Sequence, residues 1–297
     1  MKTYLDCIPC FFKQALEAAR IAGADDVTQR QILNDVARVI PEFRLEASPP
    51  EMARTIYKVV REMTGVEDPY LEIKDQSNRL ALEMYPRLTE KINKSTDPLF
   101  TAVELAIAGN IIDYGVKNSL NVDRELEKIL ANEQQKIQHE GARFFKYEEF
   151  KSELAQIDNI LYLADNAGEI VFDRVLLEVI HQQYPKIEIY FAVKEKPAIN
   201  DALEKDARDC GIGTVAQVIS SGSDAPGTLL SLCSASFQKL FWNADMVISK
   251  GQGNYETLSG VNRPVFFLLL AKCPVIANHI GCRVGDVILS YQNKNVM

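Results

Sequence analysis

Asp165 and Asn166 end an apolar run, NILYLAD (159–165), and Ala167-Gly168-Glu169 follows as a helical pattern begins. A carboxylate and a carboxamide at the end of a buried strand are oxygen donors set beside a turn. Two later segments repeat the arrangement. KIEIYFAVK (186–194) leads through KEKPAIN to Asn200-Asp201 at the expected start of a helix, and DMVISK (245–250) ends in Ser249-Lys250 and enters GQGNYE. Asp165, Asn166 and Asp201 offer only oxygen, which suits Mg²⁺ or Mn²⁺ and leaves positions for water and a phosphate oxygen. A shared cation would also relieve the repulsion between two converging carboxylates. Lys250 would neutralise phosphate charge. Gly251 and Gly253 would admit backbone N–H groups to the same anion, and Gly168 would do so at a positive helix end.

Each segment also has an ordinary structural reading. Asp-Asn-Ala-Gly between strand and helix is good turn and cap chemistry, and Asn200-Asp201 is an equally good helix N-cap. GQGNYE is a G-x-G-x-x-G pattern without its third glycine, a weak dinucleotide fingerprint. What favours chemistry is the coincidence of three such segments at strand ends, because ligands of open α/β sheets gather beyond the carboxyl ends of the strands.

The elements that must position these residues fall into two rhythms. Apolar spacing and helix punctuation predict helices over 11–23, 27–40, 48–65, 75–93, 98–115 and 123–135, with no strand before about 155. Short β-rich runs then alternate with helices: 159–165, 186–194, 214–220, 245–250, 264–270 and 273–278, with helices near 169–183, 201–210 and 227–240. That alternation implies crossover units and a largely parallel sheet covered on both faces. The last two runs are too close for a helical crossover, so one edge is expected to be antiparallel or irregular. The expected fold is an α/β protein, a Rossmann-like three-layer α/β/α core with a helical N-terminal region. Residues 1–150 would form the helical region contributing to the pocket and 151–297 the metal- and phosphate-binding domain.

Composition agrees with a soluble globular chain: 297 residues, 47% hydrophobic and 25% charged, with net charge -8. That charge, without a dense basic stripe, argues against a nucleic-acid-binding face but leaves room for a locally positive pocket. No apolar run approaches the ~18 residues of a membrane span. MKTYLDCIPC has no long apolar segment or small-residue cleavage site, so a cytoplasmic location is expected, with no membrane partner. Six cysteines in such a chain fit reduced thiols better than a disulfide framework. The oligomeric state is not legible.

At these residues the sequence resembles the DUF89 family, the damage-control phosphatases, in its archaeal-type branch with an N-terminal CxxC. The matching pieces are Cys7-Ile-Pro-Cys10, AGNIID (108–113), DNAGE (165–169), KPAIND (196–201) and SKGQGNYE (249–256), in order along nearly the whole chain. The resemblance implies a metal-dependent phosphatase, using Mn²⁺, Ni²⁺ or a similar ion such as Mg²⁺ or Co²⁺, acting on small phosphorylated metabolites such as sugar phosphates or damaged nucleotides. Its metal ligands fall on Asp165, Asn166 and Asp201. Lys250 is the implied phosphate contact, with Gly251, Gly253 and Asn254 beside it. Asn110 and Asp113 resemble pocket residues from the helical part, and Glu169 and Glu256 would orient a water or anchor a loop. The arginine-threonine-x-lysine signature of another branch is absent, so its carboxyl-methyltransferase proposals do not transfer. Metal-assisted phosphomonoester hydrolysis is expected; direct attack by Asp165 to form an aspartyl-phosphate is the alternative to water, and water is favoured because 165–169 reads DNAGE and lacks a DxDxT-like pattern.

The cysteine pair supports a rival. Cys7-Ile-Pro-Cys10 precedes a helix, where a thiol pKa can fall, so a dithiol redox protein is one alternative and a nucleotide-binding protein without turnover is another. The strand that precedes a thioredoxin motif is missing, and a structural zinc would need two further ligands. His139 and His181 lie in polar helical stretches and read as surface. His279 reads as structural, and Phe241 with Trp242 as core packing. No H-E-x-x-H pattern supports a catalytic zinc. The acidic stretch KYEEFKSELAQ reads as a solvated helical face.

Overall fold

A computed structural model describes residues 1–109 and 143–292 of the chain. Asn110, Asp113, His139 and the helix expected over 123–135 lie outside those residues.

The N-terminal part is helical: α1 (Cys7–Ile21), α2 (Asp26–Val39), α3 (Pro49–Thr64), α4 (Leu71–Asn93), α5 (Pro98–Ala108) and α6 (Tyr147–Leu154). Local chemistry sets several ends. Asp25 accepts the Thr28 N–H at 2.8 Å to cap α2, and Asp97 accepts that of Phe100 at 3.1 Å to cap α5. Prolines open α3, and Gly65 at φ +68° closes it. The acidic stretch before β1 is the short helix α6, amphipathic as expected, with Phe150 and Leu154 buried.

From residue 159 the chain alternates: β1 (Asn159–Leu163), α7 (Glu169–Gln183), β2 (Glu188–Val193), α8 (Glu204–Asp209), β3 (Gln217–Ser220), α9 (Ala235–Asn243), β4 (Met246–Lys250), α10 (Gly251–Leu258), β5 (Val265–Leu270), α11 (Pro274–Ile280) and β6 (Val287–Gln292). The six strands form one sheet in the order β3-β2-β1-β4-β5-β6, parallel except for the antiparallel β5–β6 pair. Strand side chains alternate between two buried faces. Ile160, Tyr162, Ile248 and Phe266 meet α4, α5 and α7, while Leu161, Leu163, Val247 and Phe267 meet α9, α10 and α11. Burial on both faces explains why the strands read as near-continuous apolar runs. A third core, built from Phe11, Ala15, Ile32, Val36, Ile56 and Val60, holds α1, α2 and α3 together apart from the sheet. Among the described residues no helix is long and apolar enough to cross a membrane.

Three expectations are corrected. The run 273–278 is helical, because Pro274 has a fixed φ suited to a first helical turn and Gly281 at φ +84° ends the helix. The antiparallel edge expected there is supplied by 287–292 instead. The helix expected over 227–240 starts later, at Ala235, where Ser234 accepts the Phe237 N–H at 3.2 Å. Trp242 is not core: it is 50% exposed, and Phe241 alone fills the interior.

Candidate active site

The strand order reverses between β1 and β4, and the carboxyl ends of those neighbours open the crevice where doubly wound sheets bind ligands. Asp165 and Asn166 follow β1, and Gly251 follows β4. The two meet closely. Gly251 has φ +79°, and a Cβ there would lie 1.8 Å from Asp165 Oδ2, so only glycine leaves room for the carboxylate. Asp201 reaches the same place from β2. Asn166 and Asp201 form an isolated antiparallel bridge, in which Ala167 N donates to Asn200 O and Ala202 N to Asp165 O, both at 2.9 Å. Asp201 therefore sits in an extended bridge and not at a helix start. The helix begins at Glu204, and its Asp206 carboxylate accepts the Leu203 N–H at 2.8 Å. Just before the bridge, Ile199 has φ +53°, a conformation that costs a β-branched residue of order 1–3 kcal/mol and clusters at functional sites.

The charges that converge here are mutually uncomfortable. Asp165 lies at the floor of an open cavity with dense protein behind it, and its pKa is pushed well up by burial, then by Glu169 and Asp201. Lys272 and Lys250 oppose that rise. Burial raises Asp201 to about 6, against the pull of Lys194 and Lys74. Lys194 Nζ stands 3.4 Å from Asp201 Oδ2 and also donates to the Gly227 carbonyl. That contact lacks hydrogen-bond alignment, and Oδ2 is buried with no hydrogen-bond partner among the described residues. A buried carboxylate that shares Lys194 and still pushes up the pKa of a second carboxylate, Asp165, fits a bound cation that would take up their charge. Asn166 donates its amide to Glu169 Oε1 at 2.9 Å and to Asp165 Oδ2 at 3.3 Å, which leaves the carbonyl oxygen as its donor to a metal. Two carboxylates and one amide oxygen match a hard divalent ion. Among the described residues no group of three or more His, Cys, Asp and Glu is arranged to hold a metal.

Lys250 stands behind this shelf. Its side chain is fully buried, with Nζ 2.5 Å from Asp173 Oδ1 and 3.8 Å from Glu169 Oε2. Tyr162 donates to the same Asp173 oxygen at 2.8 Å. Burial alone would lower the Lys250 pKa, but Asp173 and Glu169 outweigh it and the net shift is upward. Gly168 donates its N–H to Asn78 Oδ1 at 2.7 Å, so that donor is occupied by α4. Asn254 is buried too: its amide donates to the carbonyls of Ala164 at 3.0 Å and Lys250 at 2.8 Å, and its Oδ1 accepts from Thr228 at 2.7 Å. Glu169 joins Asn166 to Lys250. Gly253 and Glu256 line the cavity, Glu256 accepting from Gln252 at 3.0 Å and pushed up to about 7 by burial.

The cavity, about 390 Å³, lies between the helical part and the sheet. Asp165, Asn166 and Asp201 form its floor with Gln252 and Gly253. Cys7, Cys10 and Gln14 of α1, together with Ala53 and Tyr57 of α3, wall it from above. The sequence reading passed over Lys194, Lys74, Asn78 and Lys272. Lys194 ends the β2 run and was open to the same strand-end argument. Lys272 lines the cavity just past β5, and it was hidden because the residues after it read as another strand.

The sequence profile of the damage-control phosphatase ARMT1-like domain matches residues 3–288. The chain is 35% identical over 292 residues to an uncharacterised protein of Methanocaldococcus jannaschii, spanning 96% of this chain and 93% of that one. It is 33% identical over 291 residues to a Pyrococcus horikoshii protein named as a damage-control phosphatase, spanning 97% of each. The crystal structure of a DUF89 family protein from Pyrococcus horikoshii superposes with a TM-score of 0.88 at 32% identity, covering 99% of this chain and 100% of that one.

Proposed function

The chain belongs to the family of damage-control phosphatases with an ARMT1-like domain, and from that premise we propose that it hydrolyses small phosphorylated metabolites with a divalent metal ion held by Asp165, Asn166 and Asp201. The observation that carries the metal is the meeting of two buried, charge-strained carboxylates, Asp165 and Asp201, beside the Asn166–Asp201 bridge. Mn²⁺, Ni²⁺, Mg²⁺ and Co²⁺ all suit the donor set. When bound, such an ion supplies Lewis acidity toward a phosphoryl oxygen and favours a nucleophilic water.

The protein's residues do the rest. Glu169 and Asp165 hold the Asn166 amide, which leaves its carbonyl oxygen for the metal, while Lys250, itself paired with Asp173, backs Glu169 from behind. Lys194 steadies Asp201. The Lys250 ammonium is buried against carboxylates, and Lys272, which lines the cavity and whose charge acts on Asp165, meets the phosphate charge in this reading. The Cys7, Ala53 and Tyr57 wall accommodates the leaving group and excludes water from it.

The test is phosphate release from a panel of sugar phosphates and nucleotides, with each of the four metals added to chelator-stripped protein. Turnover is expected only with metal, and Asp165→Ala and Asp201→Ala are expected to fall to background. Equilibrium dialysis should show Mn²⁺ binding lost in Asp201→Ala. A folded, metal-stripped Asp201→Ala protein that still released phosphate would overturn the assignment.

A further inference from the structure

The cavity wall carries thiol chemistry that phosphate hydrolysis does not use. Cys7 and Cys10 are the first and fourth residues of α1, and both line the cavity, as does Cys273 at the start of α11. All six cysteines of the chain are free thiols, with Cys10 exposed and Cys7 half-buried. Residues three apart on a helix hold their Cβ atoms about 5–6 Å apart, and a disulfide draws them to roughly 3.5–4.5 Å. Closing a bond between Cys7 and Cys10 therefore asks the first turn to give by about 1–2 Å.

The first turn is held by backbone bonds from Cys7 to Tyr4 and from Ile8 to Leu5, at 2.9 and 3.1 Å, and not by its cap. Its N-cap, Asp6, makes no side-chain capping bond, and Pro9 within it has no N–H to lose. Gln14 Nε2 contacts the Cys10 sulfur at 3.4 Å, and among the described residues the buried Gln14 Oε1 has no hydrogen-bond partner. Moving that sulfur away from Gln14 breaks one weak bond.

We propose that Cys7 and Cys10 are a site of reversible oxidation, forming an intramolecular disulfide in the wall of the substrate cavity. The oxidant is a low-molecular-weight disulfide. The exposed Cys10 sulfur attacks it, forming a mixed disulfide and expelling one thiolate. Cys7 sulfur then attacks the Cys10 sulfur, expelling the second thiolate, and the two S–H protons pass to the two released thiolates. One S–S bond breaks and one forms, and the protein loses two electrons to the oxidant.

Burial pushes both thiols upward, and Cys273 and Glu256 add to it for each of them. The pair is therefore a slow nucleophile, unlike an oxidoreductase dithiol. For the same reason the reduced form gains no thiolate stabilisation, the property that makes some CxxC disulfides strongly oxidising. Once formed, the bond is expected to persist until a thiol reductant reaches it. Oxidation would detach Cys10 from Gln14 and reshape the wall away from Asp165. This coupling to turnover rests on the phosphatase reading, whereas the disulfide does not.

Full-length protein incubated with oxidised glutathione, then unfolded and alkylated, provides the test. The thiol titre is expected to fall from six to four and to return with dithiothreitol, and peptide mass spectrometry should find Cys7 joined to Cys10. Cys273→Ser should still form that linkage, and Cys7→Ser and Cys10→Ser should not. An unchanged titre, or a cross-link to Cys273, overturns the proposal. Phosphate release is then compared within each protein as the ratio of oxidised to reduced rate. A ratio different from one in wild type but equal to one in Cys10→Ser supports the coupling, and a wild-type ratio of one refutes it. The thiol count needs no substrate, so failure of the phosphatase reading leaves it readable.

Discussion

Two lysines near the carboxylate shelf, Lys250 and Lys272, stand in opposite surroundings, and those surroundings set what each can do. Lys250 is wholly enclosed and neutralises Asp173, so Lys250→Met leaves a buried carboxylate without its partner and should cost about 3–5 kcal/mol. Lys272→Ala, at an exposed position, should change stability by no more than about 1 kcal/mol while sharply weakening phosphate release. Urea midpoints and rates on the two variants separate these roles, and normal turnover in Lys272→Ala would return the phosphate contact to another group. Glu256 offers a second measurement. Its folded pKa of about 7 lies above the ordinary 4.5, so the folded state holds the proton more tightly and stability is lost as pH rises through that interval. The gap corresponds to about 3 kcal/mol. Glu256→Gln should match wild type near about pH 4 and exceed it above about pH 8 by up to that amount, and parallel pH curves would show that the carboxyl does not titrate there. At this scale, sequence identified which side chains carry charge at the strand ends, since Asp165, Asn166, Asp201 and Lys250 stand out by type and position. It gave no means of telling an ammonium facing a cavity from one facing a buried carboxylate, because that depends on Asp173 one helical turn into α7.

Elements were most legible where burial on both faces forces long apolar runs. The first five strands lie within one to three residues of the runs that predict them. Legibility failed at the sixth. PVIAN has strand-like residues, yet its proline and the glycine at 281 make a short helix, while VILSYQ pairs with β5 across the sheet edge. The price was Lys272, hidden between a real strand and a mistaken one. The loop from β2 to α8 failed for another reason. Asn200-Asp201 has every local feature of a cap, but the bridge to Asn166 is a tertiary contact, and Ile199 is held in its unusual backbone state by surroundings that include the α1–α3 core. Local preference predicts the turn and cannot foresee the partner.

Across the whole molecule, the helical part and the sheet close one cavity, and an ion pair ties them at its rim. Arg54 of α3 donates to Asp224 through Nε at 2.6 Å and Nη2 at 3.1 Å, one residue from Ala53 and two from Pro226, both of which line the space. The pair is partly solvated, so Arg54→Ala should lower stability by about 1 kcal/mol or less. Its effect belongs in KM: apparent substrate affinity should weaken while Mn²⁺ affinity in equilibrium dialysis stays the same. A loss of metal binding in that variant would mean that the rim shapes the floor as well. The separate core of α1, α2 and α3 has a consequence of its own. Apart from Ile199, which packs on the roof core beside the Asn166–Asp201 bridge, the side chains of that core differ from those that hold the carboxylate shelf, so roof residues away from Ile199 can drift without loosening the shelf. Over evolutionary time such a layout lets a lineage retailor which compound is admitted while inheriting the same bond-breaking apparatus unchanged.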